Sequence, residues 1–523
     1  MIDGRRFGRS ALFGALLAAA GLAPAPPASA AKAIDKTTAP METSTVAPPD
    51  RDMTFYRQRL ALANALLRED NMAGVGRELS AVIDSPLFDT LSRDVQLHIL
   101  STACWAATRE EQAKRARDLC QRAIGYAEAG SDDWYRLAML ESFLGEHEAA
   151  AAAFIEFVQR WPEQLEDIDE IVIHQLRHAL PADSRARVEM AQALFDANWK
   201  SPYGGDSSIW YDLALARLGQ NQPEQARAVL TRIDTPVDLI RIRSDKRFDR
   251  VFNRDAPGHD VDGALRRQIE AQKQHAVIFP DDVRAHVQLS YALLSAGRNE
   301  EVIKLADRTM ARLARASLER PAFTHIDEQV WLMDSRAVAL RRLGRVDDAL
   351  DEMRRASQLS EQGEQNVSQA LNLGDFYCSL GRPDEAMAAV AQIGEMSAYG
   401  QMVLHKVRHC AAVQRGDARM GGASLAHLDG NEDEAPTILL EALLRAGRID
   451  EAAARLIAQL QSDDRRGRML EWLQDYPLPQ PLPGNVAMRA ARAAMLARDD
   501  VTAAIAAVGR IERYDIIPTA ELD

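Results

Sequence analysis

WYRLAMLESFLGEHEAAAAAFIEFVQRWP, Trp134 to Pro162, is the stretch whose reading decides the fold. Its apolar and small residues (Trp134, Leu137, Ala138, then Ala150, Phe154, Phe157) recur at three- and four-residue steps, the helical period. Gly145 stands between the two halves, where the chain must turn and a residue without a Cβ is least strained. Pro162 closes the second half, because its ring cannot continue a helix. Ala138 and Ala150 are small, so two helices crossing there can bring their backbones close. The stretch predicts a hairpin of two short amphipathic helices.

Variants follow along the chain. Trp210-Tyr211-Asp212-Leu213-Ala214 with Ala226 and Leu230 repeats the pattern over about 207–238. Leu289 and Gly297 keep the spacing in 283–316, with Val302 in the small position. Ala337, Gly344, Ala349 and Ala356 keep it in 330–363. Leu373-Gly374-x2-Tyr377, then Gly381, Pro383 and Ala386, mark 367–400, and Gly447 and Ala452 mark 433–466. Trp-x2-Leu-Ala, Gly, Ala-x3-Phe and a terminal Pro resemble the tetratricopeptide repeat (TPR) of roughly 34 residues. The resemblance implies an all-α fold, a right-handed superhelical solenoid of TPR-like hairpins in two blocks. One hairpin cannot bury its apolar face alone, so neighbours must stack.

Composition agrees. A chain of 523 residues is too long for one compact core. It is rich in Ala, Leu and Arg and only 6% aromatic, as an all-helical protein would be. A net charge of −14 lacks the cationic field that nucleic acid or an anionic membrane surface requires, so neither is an expected partner.

The first residues read as an address. Arg5, Arg6 and Arg9 precede an apolar run from Ala11 to Leu22 that is too short to span a bilayer. Ala28-Ser29-Ala30 follows as a small-x-small cleavage site. Residues 1–30 are thus expected to be a signal peptide, leaving no membrane-spanning segment after its removal. The expected location is the periplasm or the medium, by the Sec route rather than the twin-arginine one. Residues 31–52, rich in Thr, Pro and Ala, read as a flexible linker. Repeats are expected over 53–238 and 262–513. An irregular connector at 239–261 holds Pro257 and Gly258 among dense charge, and a tail follows at 514–523. Tyr476 to Pro483 interrupts the last repeats with prolines.

In TPR proteins the first helix of each repeat lines a concave groove that holds peptides or partner domains. By register, the resemblance assigns to that groove Tyr135, Met139, Phe143, Tyr211, Leu215, Tyr291, Leu294, Trp331, Arg341 and Asp375. Exposed aromatics on a concave face would anchor a partner, whereas Tyr135, Tyr211 and Tyr291 packed between repeats would be core. The Lys and Asn of the family's two-carboxylate clamp are replaced by Tyr135 and Met139, or Tyr211 and Leu215, which disfavours chaperone-tail binding.

Catalytic signals are weak. His174 with His178, and His405 with His409, stand at i, i+4, a spacing that can chelate zinc, but no third ligand follows at a persuasive distance. They read as packed or solvated histidines, and no metal or cofactor is expected. No phosphate-binding glycine loop or nucleophile elbow appears. Four cysteines lie outside any CxxC. Cys104 and Cys120 share a hairpin, and Cys378 and Cys410 fall near one face of successive repeats. Bridged and free forms are both open, with free thiols favoured because neighbouring first helices often stand too far apart. The expected function is a non-enzymatic scaffold binding a protein or peptide, organising a cell-envelope assembly, secretion or cell-wall complex. An accessory of exopolysaccharide export is the alternative, and an enzyme with a cryptic metal site comes last.

Overall fold

The computed structural model describes residues 50–181, 183–201, 206–315, 323–360 and 366–517. The expected signal peptide, nearly all of the linker, and the last six residues of the tail lie outside them. The described residues contain helices, turns and three isolated bridges, and no strand. No helix among them is long and apolar enough to cross a membrane.

Two compact units share the chain, one ending at Trp199 and the other beginning at Lys200. The first holds α1 (Asp50–Arg68), α2 (Met72–Ile83), α3 (Arg93–Arg109), α4 (Ala113–Ala123), α5 (Ser131–Leu144), α6 (His147–Arg160), α7 (Glu170–Ala179) and α8 (Arg185–Asp196). From α1 to α6 each helix packs on the next, and α8 docks on α6 beside the short α7. Crossings use small residues, as expected: Ala138 and Ala150 are fully buried, with Phe154 and Phe157 stacked at 5.9 Å beside them.

The second unit begins with α9 (Ser207–Gly219), α10 (Pro223–Leu230), α11 (Pro236–Ser244), α12 (Val261–Ile278), α13 (Val283–Ser295), α14 (Asn299–Leu313), α15 (Gln329–Arg342) and α16 (Val346–Ser357). It continues with α17 (Val367–Ser379), α18 (Pro383–Ala389), α19 (Ala398–Arg415), α20 (Ala418–Gly430), α21 (Pro436–Arg445), α22 (Ile449–Gln461), α23 (Arg466–Trp472), α24 (Val486–Leu496) and α25 (Asp499–Val508). Of the stretch 239–261, expected as an irregular connector, residues 245–260 are irregular apart from two short 3-10 turns, while 239–244 complete α11, which packs on α12. Thr235 caps α11 through its hydroxyl and Pro236 opens it, a start signal hidden among the charges.

Nine hairpin turns among the described residues share one rule. The residue after the first helix adopts positive φ, and the next N–H bonds back to a carbonyl five residues upstream, satisfying a helix-end acceptor. Gly145, Gly297, Gly344, Gly381, Gly416 and Gly447 fill this slot at φ between 66° and 85°. Glu146 thus bonds to Glu141, and Arg345 to Leu340, at 2.9 Å. Asp70, Glu111 and Asn221 fill the same slot at φ 54° to 57°.

Both cysteine pairs are disulfides, correcting the expectation of free thiols. Cα atoms lie 5.4 Å apart for Cys104–Cys120 and 6.3 Å for Cys378–Cys410, within the range a disulfide spans. The first bridges α3 and α4 of one hairpin. The second ties α17 to α19, first helices that approach closely because Gly374 lets Val390 and Val407 against the α17 backbone.

Candidate functional site

The helices place the ten register-assigned residues in different surroundings. In the first unit, Tyr135 and Phe143 are half-buried on α5 and Met139 is buried. The Tyr135 ring lies 5.5 Å from Phe157, and burial together with Asp169 pushes its hydroxyl up to about 12.

In the second unit, the core reading holds for Tyr211. It is buried, 5.6 Å from Phe248, and α23 passes so close that a Cβ on Gly467 would collide with its hydroxyl. Arg241 lies over the same ring and bonds Glu471 of α23 at 2.6 Å and Asp238 at 3.0 Å. Thus α11 packs on α23, 230 residues later, and the unit closes on itself. Leu215 is half-buried and Leu294 buried. Tyr291 and Trp331 pack against a core of Val283, Val287, Ala306, Phe323 and Leu332. Asp375 is paired with Lys406 at 3.1 Å, and Lys406 also reaches Glu441 at 3.2 Å. Nearby, burial pushes the Asp334 carboxyl up to about 6, against the bond it accepts from Asn372.

Arg341 is 5% exposed and already engaged: its guanidinium donates to the Gln480 carbonyl at 2.6 Å. That contact belongs to a strap the repeat pattern does not contain. After α23, residues 474–485 cross the C-terminal ends of the first helices. Arg489 holds the Pro479 carbonyl at 2.7 Å and Arg445 the Gly484 carbonyl at 2.6 Å. Leu482 and Asn485 are buried, and Asn485 donates to the Ser379 hydroxyl at 3.0 Å. The prolines have no N–H to offer, so the strap is held by its carbonyls and by arginines.

The last described residues run beside it. Arg510 N–H bonds the Ser244 carbonyl at 3.0 Å and Ile517 N–H the Ser295 carbonyl at 2.8 Å, both at first-helix ends that lack intrahelical donors. Glu512 accepts from Arg243 and Arg254 at 3.1 Å each and from Tyr514 at 2.7 Å. Burial would raise its carboxyl, but the Tyr514 hydrogen bond and the two guanidinium groups hold it below the usual range.

The histidine pairs do not converge. His405 stacks on His427 at 3.9 Å, whereas His409 sits between the Gly421 and Ala442 carbonyls at 3.1 and 3.0 Å. His174 is 3% exposed, neither of its ring nitrogens has a hydrogen-bond partner among the described residues, and its ring is 6.4 Å from that of His178. No group of three or more metal-ligating side chains occurs among the described residues.

The sequence matches no family model and no curated protein. Among solved structures it is similar to the anaphase-promoting complex hetero-tetramer Cut9–Hcn1, at 12% identity and TM-score 0.37, covering 86% of this chain and 79% of that one. It is similar to yeast Tom70 at 10% identity and TM-score 0.28, covering 85% and 98%. A Rap protein complexed with competence and sporulation factor is similar at 12% identity and TM-score 0.25, covering 86% and 99%.

Proposed function

We propose that this chain is a non-enzymatic TPR-type scaffold, exported to the periplasm or the medium, that holds a protein or peptide within a cell-envelope assembly, secretion or cell-wall complex. One observation supports peptide holding above the others. The second unit already keeps an extended, proline-rich stretch of its own chain across its first helices, with Arg341 and Arg445 on the stretch's carbonyls. Hairpins of the same build in the first unit present Tyr135 and Phe143, half-buried, on a first helix. In this reading the partner's apolar side chains settle on those rings, which can desolvate a large area at little entropic cost.

The test is site-specific photo-crosslinking of the full-length chain in its native envelope, with the reactive residue at Tyr135, at Phe143, and at exposed Glu148 on α6 as a control. A discrete adduct from the first two positions and none from the third supports the reading. Adducts from all three, or from the control alone, sink it. N-terminal sequencing of the fractionated protein should find Ala31 first; an intact Met1 in the cytosol would remove the export half.

A further inference from the structure

Cys378–Cys410 lies directly beneath the strap. Both cysteines are essentially fully buried, and the cover over them is thin. Gln414 donates to the Cys378 carbonyl at 2.8 Å, and its amide nitrogen stands 3.5 Å from each sulfur. Above it, Gly484 sits so close that a Cβ there would collide with the Cys378 carbonyl and lie 2.9 Å from both the Ser379 carbonyl and the Gln414 amide. Asn485 and Arg445 pin the same corner, bonding each other at 2.6 Å. Cys104–Cys120 is equally buried, but it lies within one helix hairpin, between α3 and α4.

From this juxtaposition we propose that Cys378–Cys410 is a redox-modification site gated by the strap. A dithiol reductant reaches the sulfurs only when the chain lifts at Gly484, and reduction in turn loosens the seat that holds Gly484. In the exchange, a thiolate of the dithiol attacks one cysteine sulfur, and the other cysteine leaves as a thiolate and takes up a proton. The dithiol's second thiolate then displaces the first cysteine from the mixed disulfide. Two electrons pass to the protein, leaving two cysteine thiols and one oxidised dithiol. Strap opening and bridge reduction favour each other, because one coupling free energy links them in both directions. The inference does not rest on the partner reading.

Local opening, rather than global unfolding, governs access to a covered group when the cover is a separate low-stability segment. The full-length oxidised chain is treated with dithiothreitol, quenched with an alkylating agent at intervals, and both bridges are followed by mass spectrometry. Gly484→Ala should speed reduction of Cys378–Cys410 by about tenfold or more, because its methyl group forces the strap off its seat. Cys104–Cys120 serves as an internal clock and should keep its rate. Asn485→Ala, which removes the side-chain bonds to Ser379 and Arg445 without a clash, should act in the same direction more weakly and reads the effect if the first variant fails to fold. Hydrogen exchange over residues 474–485 should quicken once Cys378–Cys410 is reduced. Acceleration of both bridges together would mean global loosening and overturn the proposal, as would unchanged rates in both variants. Strap exchange indifferent to reduction would overturn it too.

Discussion

The two units are built from the same hairpin and differ in what becomes of the residues that the period sets on the first helices. In the first unit, Tyr135 and Phe143 stay half-buried on α5. In the second, Tyr211 is sealed beneath α23 and Arg341 is spent on the strap. Register assigns these residues one role, yet contacts more than a hundred residues away in sequence decide whether a ring is surface or core. A repeat array makes local structure repeat; it does not make surroundings repeat.

The largest test of this contrast is a pair of truncations. Tyr211→Ala should destabilise the second unit by about 3–5 kcal/mol, the cost of emptying a buried aromatic site. Tyr135→Ala should cost the first unit less, roughly 2 kcal/mol, because its ring packs on Phe157 but keeps part of its surface in solvent. Hydrogen exchange resolved by segment is the measurement, because a chain of two units need not unfold in one step. Equal losses would erase the distinction.

Next in size is a pH effect of the first unit. Burial, with Arg177 and His178 nearby, pushes His174 down to about 3. The folded state therefore refuses a proton that the unfolded chain accepts below about 6.5. Stability from this group is complete above that pH, declines as pH falls, and stops declining near the folded value. At pH 5 the loss should be about 2 kcal/mol, one and a half pH units at 1.36 kcal/mol each. His174→Leu should flatten the decline of α6 to α8 between pH 7.5 and 5 and leave α17 to α21 unchanged. An undiminished decline would place its cause elsewhere.

How much of this was legible beforehand depends on range. Helix pairing, the small crossing residues and the turn glycines are written within one repeat, so Ala138, Ala150 and Gly145 could be read from local spacing. The face of a helix could be read too, which is why Tyr211 and Arg341 were singled out. What covers that face could not, because Glu471, Gly467 and Gln480 come from segments with no periodic tie to it. The prolines of 476–483 did signal a break in stacking, but nothing in them names the arginines that hold their carbonyls. Subtracting about one repeat (roughly 34 residues) from Ala138 and Phe154 lands on Cys104 and Cys120, a packed pair in the clear hairpin. That signal was available for the first bridge; for Cys378 and Cys410 the shared face of successive repeats was legible, but not the close approach at Gly374 that brings α17 and α19 together.

The smallest effect concerns the turns, where the units differ in residue choice at one geometry. Beyond Asn221 the second unit fills the hairpin-turn slot with glycine, whereas the first uses Asp70 and Glu111 beside Gly145; Asn198 and His325 take positive φ outside those turns. A side chain in this region costs roughly 1–2 kcal/mol through its Cβ. Glycine avoids that strain but leaves a more flexible unfolded chain, which takes back about 0.4–1 kcal/mol. Gly344→Ala, with nothing within 4 Å of the added methyl, should therefore lose the difference, roughly 1 kcal/mol, by strain alone. Glu111→Gly should gain a similar or smaller amount in the first unit, because its side chain is exposed and the Gln112 N–H already bonds Ala107 at 2.9 Å whatever residue precedes it. Opposite signs in segment-resolved exchange would establish that one backbone rule governs both units. A loss in both variants would mean that the Glu111 side chain contributes a contact outweighing its strain, and the turns would then have to be treated one by one.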